Sequence, residues 1–426
     1  MEEFKFEYLF TLNDQNKFAK LSGDYNPIHI SEKISRKLIT GECIVHGINL
    51  FLVGLENLTF LGFDRYFSFE IKFINPLFLN NKINYKFDKN NNTLLALGKN
   101  KLYMKAKIKF SEIPNKSFSK VNLRIVDIVK TPQNILQKDL YKNKEIDNSF
   151  NGDMNMCETL FPNLSRLIGA GLISQIASLS GIVGMKVPGE NSIFSKATIT
   201  LINELRPNPS IFITKTDERY KKVNLKCNYP NLTAELEAFF TPQSFRSKSC
   251  NQLAFEFKKT NFRKSKALII GGSRGIGSIV ARLITIGGGD ASITYHYGEE
   301  EAKKIQKEIN EWGGNCEIFK FDILQDNISE LMGNNFNQIF YFATPKIKEN
   351  KLSEMDQDLY EEYFEYYVKG LEKIYDSKFL GNIKKIFYPS TIFLDENNKN
   401  YREYCLAKKN GENFCDFFEK SNISVL

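Results

Sequence analysis

Residues 44–58 (IVHGINLFLVGLENL) are apolar around most of a helical wheel, which predicts a helix buried on nearly all sides. Residues 66–75 (YFSFEIKFIN) alternate apolar and polar positions, as a strand with one buried face does, and Pro76-Leu77 follows. Further strand-like runs fall at 82–88 and 101–110. The same order then returns. Residues 164–184 predict a long helix rich in small residues, followed by strands at 193–202, 211–216, 221–227 and 232–240. From residue 266 the rhythm changes. Strands at 266–271, 291–297, 316–322, 338–344 and 384–390 alternate with helices at 274–286, 299–312, 357–376 and 402–420. Such alternation is the pattern of a doubly wound parallel sheet. The chain therefore reads as four segments: 1–112, a faint repeat of it at 113–245, a polar and basic linker at 246–264, and an α/β domain at 265–426.

The length of 426 residues fits two or three domains. Net charge is +8, but lysines are mixed with acids throughout and no basic stripe interleaves with aromatics. That argues against nucleic-acid binding. A weak positive field suits anionic substrates, such as a nucleotide-carrying thioester or a phosphorylated cofactor. Seven scattered cysteines, an odd number with no CxxC, point to a reducing compartment and no structural metal. Met1-Glu2-Glu3-Phe4-Lys5 has neither the basic nor the apolar part of a signal peptide, and no run of about 18 apolar residues predicts a membrane span. A cytoplasmic enzyme is the expectation.

Chemistry concentrates first at Phe18-Ala19-Lys20-Leu21-Ser22-Gly23-Asp24-Tyr25-Asn26-Pro27-Ile28-His29, followed by Ile44-Val45-His46-Gly47. Pro27 fixes its own φ and pushes Asn26 out of helical conformation, so Asp24 and His29 can project from one rigid turn. Adding water across a conjugated thioester needs a base for water, an acid for the α-carbon and a donor for the enolate-like oxygen. Asp24 and His29 suit the first two tasks. Gly47 opens the buried helix, where an N–H without an intrahelical partner can receive the carbonyl. These segments resemble the MaoC-like (R)-specific enoyl-CoA hydratases of the α+β hot-dog fold. The resemblance implies that Asp24 and His29 are the catalytic pair, that Gly47 serves the oxyanion, and that Ser22 and Asn26 orient the substrate. His46 reads as a residue that caps or packs the helix start. The repeat at 113–245 has no histidine and no such motif, so it reads as a non-catalytic second hot-dog unit. Hot-dog units pair, which leaves a homodimer open.

The second concentration is Lys266-Ala267-Leu268-Ile269-Ile270-Gly271-Gly272-Ser273-Arg274-Gly275-Ile276-Gly277, a glycine-rich turn between an apolar strand and a helix. Its spacing resembles the short-chain dehydrogenase/reductase family, with a Rossmann-type sheet. Gly271 through Gly277 would then cradle the pyrophosphate, and Asp322 would contact adenine. Arg274 can meet a 2′-phosphate. The second strand ends in Tyr295-His296-Tyr297 with no acid for a free ribose diol, so NADP(H) is expected over NAD(H). His296 reads as a surface or cofactor-rim residue. Tyr404 and Lys408 form a YxxxK pair on one helical face, after Ser390 and Thr391. The resemblance assigns Tyr404 as proton donor, Lys408 as the cation that lowers its pKa, and Ser390 or Thr391 as the hydroxyl that orients the carbonyl. The family's Asn-Ala-Gly is replaced by Phe342-Ala343-Thr344, its helix Asn falls near Tyr366-Tyr367, and the chain ends within the expected sixth strand.

The two resemblances share an intermediate. Together they imply a bifunctional enzyme of acyl-CoA or acyl-carrier-protein thioesters, a hydratase/dehydratase joined to an NADPH-dependent 3-oxoacyl reductase. The alternative is a hydratase carrying a non-catalytic nucleotide-binding module.

Overall fold

The computed structural model describes residues 4–59, 66–99, 101–111, 129–149, 153–202, 209–242, 247–257, 261–331, 335–350, 354–396 and 398–426. The chain divides into two compact units, Met1–Ser244 and Phe245–Leu426.

The first unit opens with β1 (Phe4–Leu9), α1 (Leu12–Ser22) and the single turns α2 (Pro27–Ile30) and α3 (Glu32–Ser35). The buried helix α4 (Gly47–Leu58) follows, then β2 (Tyr66–Phe73), β3 (Lys82–Asp88), β4 (Thr93–Leu97) and β5 (Leu102–Phe110). The second pass contains β6 (Glu145–Ile146), α5 (Met156–Leu160), α6 (Pro162–Ile168) and α7 (Ala170–Gly181). It ends in β7 (Ser192–Leu201), β8 (Ser210–Asp217), β9 (Lys222–Asn228) and β10 (Leu232–Phe240). All ten strands form one antiparallel sheet in the order β1-β3-β4-β5-β2-β7-β10-β9-β8-β6. The 1–112 and 113–245 segments are thus joined through the β2–β7 pairing, Phe69 opposite Ile199 and Ile71 opposite Ala197.

The core explains this layout. Helix α4 buries Ile48 through Glu56 against the alternate inward residues Phe69, Ile71, Tyr85, Leu94 and Met104. Helix α7 buries Leu172 through Gly181 in the same core. A bond between the two passes comes from Glu56. Its carboxylate, 8% exposed, accepts the backbone N–H groups of Asn163 and Leu164 at 2.9 and 2.8 Å and the Asn163 amide at 2.7 Å. It thereby satisfies the open start of α6.

The single helix expected over 164–184 is broken. Gly169 takes φ 84°, outside the helical region, and α6 meets α7 at 116°. A π-helical turn at Ile182–Lys186 continues α7. No single described helix is long and apolar enough to cross a membrane, although this bent pair passes on length and composition.

In the second unit, α8 (Cys250–Glu256) precedes β11 (Lys266–Ile270), α9 (Gly275–Ile286), β12 (Asp290–Tyr295), α10 (Glu299–Trp312) and β13 (Asn315–Lys320). Then come β14 (Gln338–Tyr341), α11 (Gln357–Phe364), α12 (Gly370–Tyr375), β15 (Lys385–Phe387), α13 (Arg402–Lys420) and β16 (Ser424–Val425). Six parallel strands lie in the order β13-β12-β11-β14-β15-β16. Read along the chain this is 3-2-1-4-5-6, the order of a dinucleotide-binding Rossmann sheet. Successive β11 residues feed opposite cores, Leu268 and Ile270 one layer, Ala267 and Ile269 the other.

The segment read as a linker, 246–264, contains α8. Ser249 and Gln252 form a reciprocal capping box there, and the Cys250 N–H donates to Glu308 of α10 at 2.7 Å. Polar composition concealed a cap. The helix expected over 357–376 carries a π turn at Glu365–Lys369 between α11 and α12.

Candidate active sites

Helix α1 delivers the first site. Thr11 and Asp14 cap its start reciprocally, and Gly23 ends it in the left-handed conformation, φ 71°. The next residue is Asp24, 1% exposed. Ser22 Oγ donates to Phe18 O at 2.8 Å and accepts the Asp24 N–H at 3.1 Å. Asn26 caps α2 by accepting the Ile28 N–H, while its amide donates to Gly184 O at 2.8 Å and Gly189 O at 3.2 Å. Ser22 and Asn26 were expected to orient substrate. Both side chains instead bond the backbone, and neither lines the cleft, so they hold the Asp24–His29 turn.

Asp24 and His29 face a cleft of about 110 Å³, whose walls include Gly47, Leu50, Phe73, Ser180 and Phe194. His29 Nε2 lies 4.0 Å from Asp24 Oδ2. Its Nδ1 is 2.8 Å from Ile44 O, and a carbonyl only accepts, so Nδ1 carries a proton and, in the neutral ring, Nε2 carries the lone pair. Burial pushes His29 below the usual imidazole value, while Asp24 and the Ile44 carbonyl pull it back up. Burial pushes the Asp24 carboxyl up. His29, the Ser180 hydroxyl and the Asn26 N–H pull it down.

Gly47 is the first residue of α4, so its N–H has no partner within the helix. The Phe73 ring packs directly on its Cα, and a Cβ there would lie 2.9 Å from the ring.

Two contributors escaped the sequence. Ser180, from α7 in the second pass, donates to Asp24 Oδ2 at 2.7 Å. Gly184 supports the same carboxylate, since a Cβ there would sit 2.3 Å from Asp24 Oδ1. The 113–245 segment lacks histidine and the motif, yet it holds the Asp24 carboxylate. His46 does more than cap α4. It lies under His29, ring centroids 3.9 Å apart, with Nε2 3.9 Å from Asp24 Oδ2. Asp24, His29 and His46 are the one group of possible metal ligands among the described residues, within 4.8 Å. Both His46 nitrogens already face oxygens, Gln15 Oε1 at 2.8 Å and Asp24 O at 3.1 Å, so that ring has none to give a metal.

The second site sits on the Rossmann sheet. Gly271 has φ 81°, and its N–H donates to Thr294 Oγ1 at 3.1 Å. Gly272 N–H donates to Thr294 O at 3.1 Å, which fixes the turn against β12. A Cβ on Gly277 would lie 2.7 Å from Gly271 O. Gly275, φ 57°, begins α9 after Arg274, so backbone N–H groups open on the turn. Ser273 lies beside Gly298, and Ile276 is 64% exposed. Asp322, just past β13, approaches His296 Nε2 at 3.6 Å, beyond the end of β12.

Tyr404 and Lys408 share the buried face of α13. The Thr391 hydroxyl bonds the Tyr404 phenol. Ser390 turns away and donates to Glu412, so of the two candidate hydroxyls Thr391 meets Tyr404. The expected lowering of Tyr404 by Lys408 is not found. Burial raises the phenol, and Lys408 Nζ instead donates to Pro389 O at 2.7 Å between the rings of Tyr367 and Tyr388, at 4.2 and 4.4 Å. Burial pushes Lys408 down to about 8.

Residues 2–108 match the family profile of the MaoC like domain. They carry a MaoC-like domain of the hot-dog type. No curated protein matches the chain. Solved structures similar to it include FolM alternative dihydrofolate reductase 1 from Brucella suis in complex with NADP, at 19% identity, TM-score 0.35, covering 38% of this chain and 71% of that one. Others are the angucycline C-6 ketoreductase LanV with bound NADP, at 17% identity, TM-score 0.35, covering 39% and 72%, and a short chain dehydrogenase from Burkholderia cenocepacia in complex with NADP, at 17% identity, TM-score 0.34, covering 39% and 73%.

Proposed function

We propose that this chain is a bifunctional enzyme of acyl thioesters, with an (R)-specific 2-enoyl-CoA or acyl-carrier-protein hydratase in its first unit and an NADPH-dependent 3-oxoacyl reductase in its second. The observation that carries the first half is the Asp24–His29 pair, 4.0 Å apart and facing one cleft with Gly47. In this reading the first unit is a double hot dog, and its second pass supports the site without supplying the base.

The thioester carbonyl takes the Gly47 N–H, backed by the positive end of α4. A water lies between Asp24 and His29. His29 Nε2 accepts its proton as the oxygen attacks the β-carbon, and the Asp24 carboxylate holds the other hydrogen and fixes the attacking lone pair. The proton then reaches the α-carbon from the same pair, and electrons that had moved onto the thioester oxygen return. Water elimination is the same path reversed. The Nδ1–H bond to Ile44 O, with burial holding the ring below the usual imidazole value, supports His29 as a base through Nε2.

For the second half, Gly271, Gly272, Ser273, Arg274, Gly275, Ile276 and Gly277 form a cradle at the start of α9. Its walls would be filled by a side chain at Gly277, so they fit a pyrophosphate approaching backbone. Asp322, just past β13, would contact the adenine. When bound, the nicotinamide supplies hydride to the 3-oxo carbon. Thr391 orients the ketone oxygen and Tyr404 donates the proton there. Lys408 holds its charge nearby, fixed by Pro389 O.

A second reading has its own support. Tyr404 is raised rather than lowered, and Lys408 is engaged elsewhere, as in a domain that binds a dinucleotide without reducing a ketone. One experiment separates them: NADPH titration by fluorescence, then NADPH oxidation with acetoacetyl-CoA, in wild type and Asp24→Asn. The bifunctional reading expects binding and oxidation in both proteins and hydration in wild type only. Binding without oxidation selects the second reading, and loss of both activities with Asp24→Asn contradicts two separate sites.

A further inference from the structure

The hydrogen-bond pattern around His46 is unusual for a histidine with no exposure at all. Its Nδ1 lies 2.8 Å from Gln15 Oε1 and its Nε2 3.1 Å from the Asp24 carbonyl oxygen. A carbonyl oxygen can only accept. The Gln15 amide cannot be turned to relieve this, because the same Oε1 also receives the His46 backbone N–H at 3.0 Å, and turning it would set an NH₂ against that N–H. Both ring nitrogens therefore face acceptors, and a ring bonded to two acceptors carries two protons.

We propose that His46 is a buried imidazolium and a positioning residue, which keeps the Asp24 carboxylate ionised and His29 neutral. Gln15, Phe18 and Asp24 favour that charge, and His29 leaves it unopposed only while neutral. Gln15 and Phe18 face it from α1, Phe18 with its ring 5.0 Å away. The charged or titratable groups are Asp24, with Oδ2 at 3.9 Å, and His29, stacked at 3.9 Å. A cation stacked on a second imidazole disfavours a second proton there, and Asp24 gains a counter-ion in a site of low dielectric. His29 has one acceptor, Ile44 O, where His46 has two, so the single positive charge of the stack falls on His46. Burial and any charge on His29 oppose it, pushing His46 well below the usual imidazole value, and the Asp24 carbonyl pulls it back up. The two acceptors and the carboxylate offset that cost, as paired and hydrogen-bonded buried charges do.

The protonation state stands by itself. Its catalytic consequence rests on the hydratase reading. The test uses the full chain, whose three histidines can be assigned by substitution. Long-range ¹H–¹⁵N spectra at about pH 7 should show His46 with both nitrogens protonated and His29 as the neutral Nδ1–H tautomer. Gln15→Leu, which removes one acceptor, should return His46 to a neutral ring. A neutral His46 in wild type overturns the proposal, whatever the protein catalyses. With crotonyl-CoA, His46→Gln should shift the acid limb of kcat/KM upward by about one pH unit or more, because Asp24 loses its counter-ion. A lower plateau with an unmoved limb would reduce His46 to scaffolding and overturn the positioning role. No hydration in wild type would sink the hydratase reading while the spectra still decided the charge.

Discussion

Ser180 and Asp24 are 156 residues apart in sequence, and the Ser180 hydroxyl donates to Asp24 Oδ2 at 2.7 Å. The Asp24–His29 turn of the first pass is therefore completed by a helix of the second. Gly181 and Gly184 on that helix have no Cβ where Ser22 O and Asp24 Oδ1 approach.

Ser180→Ala should slow hydration about 10- to 100-fold in kcat, with KM little changed, since a hydrogen bond to a charged group contributes about 1.5–3 kcal/mol. The hydroxyl also pulls the Asp24 carboxyl down. Its loss should move the acid limb of the rate profile to higher pH. An unchanged rate and limb would remove Ser180 from the site.

Asp24 and His29 titrate as a pair, one raised from the ordinary carboxylate value of 3.8, the other lowered from the imidazole value of 6.5. A base with depressed pKa keeps its lone pair as pH falls through 6.5. Hydration should hold its plateau there and decline only at lower pH. A kcat/KM profile centred above pH 6.5 would contradict this.

In the second unit, Thr391→Ala should cost ketone reduction about 10²-fold or more, as should Tyr404→Phe. Ser390→Ala should change it less than about threefold, because that hydroxyl bonds Glu412. Reduction should also fall as pH rises through about 8, where Lys408 loses its charge. The checks are NADPH oxidation rates with acetoacetyl-CoA across the variants and across pH. Equal losses at 390 and 391 would reverse the assignment.

Glu56→Ala should destabilise the first unit by about 2–5 kcal/mol, since it strands the helix-start N–H groups of half-buried Asn163 and buried Leu164 and the Asn163 amide. Urea unfolding followed by circular dichroism measures it. A loss under about 0.5 kcal/mol would mean water replaces the carboxylate.

Much of this was legible in the residues. Long apolar periodicity placed α4 and the β11–α9 turn because burial dictates both patterns, and Asp24, His29 and Gly47 do line one cleft. Three kinds of feature were hidden. The motif begins on α1, whose mixed surface hides a helix that the Thr11–Asp14 box and Gly23 make plain, and ends on α2. Strand β4 is short and apolar after Thr93, and β1, though it alternates, precedes the longer apolar runs. Contacts across the chain, Ser180 to Asp24 and Gln15 to His46, leave no local spacing to read. Ser390 and Thr391 show the remaining ambiguity: adjacent strand-end residues point in different directions, and only the fold chooses between them.

The most direct measurement is the loss of enoyl-thioester absorbance with crotonyl-CoA, in wild type, His29→Ala and Asp24→Asn. The account predicts turnover in wild type and rates at least about 10²-fold lower in each variant, with NADPH binding retained in all three. Equal rates in wild type and both variants, or no turnover in any, would contradict a hydratase centred on Asp24 and His29.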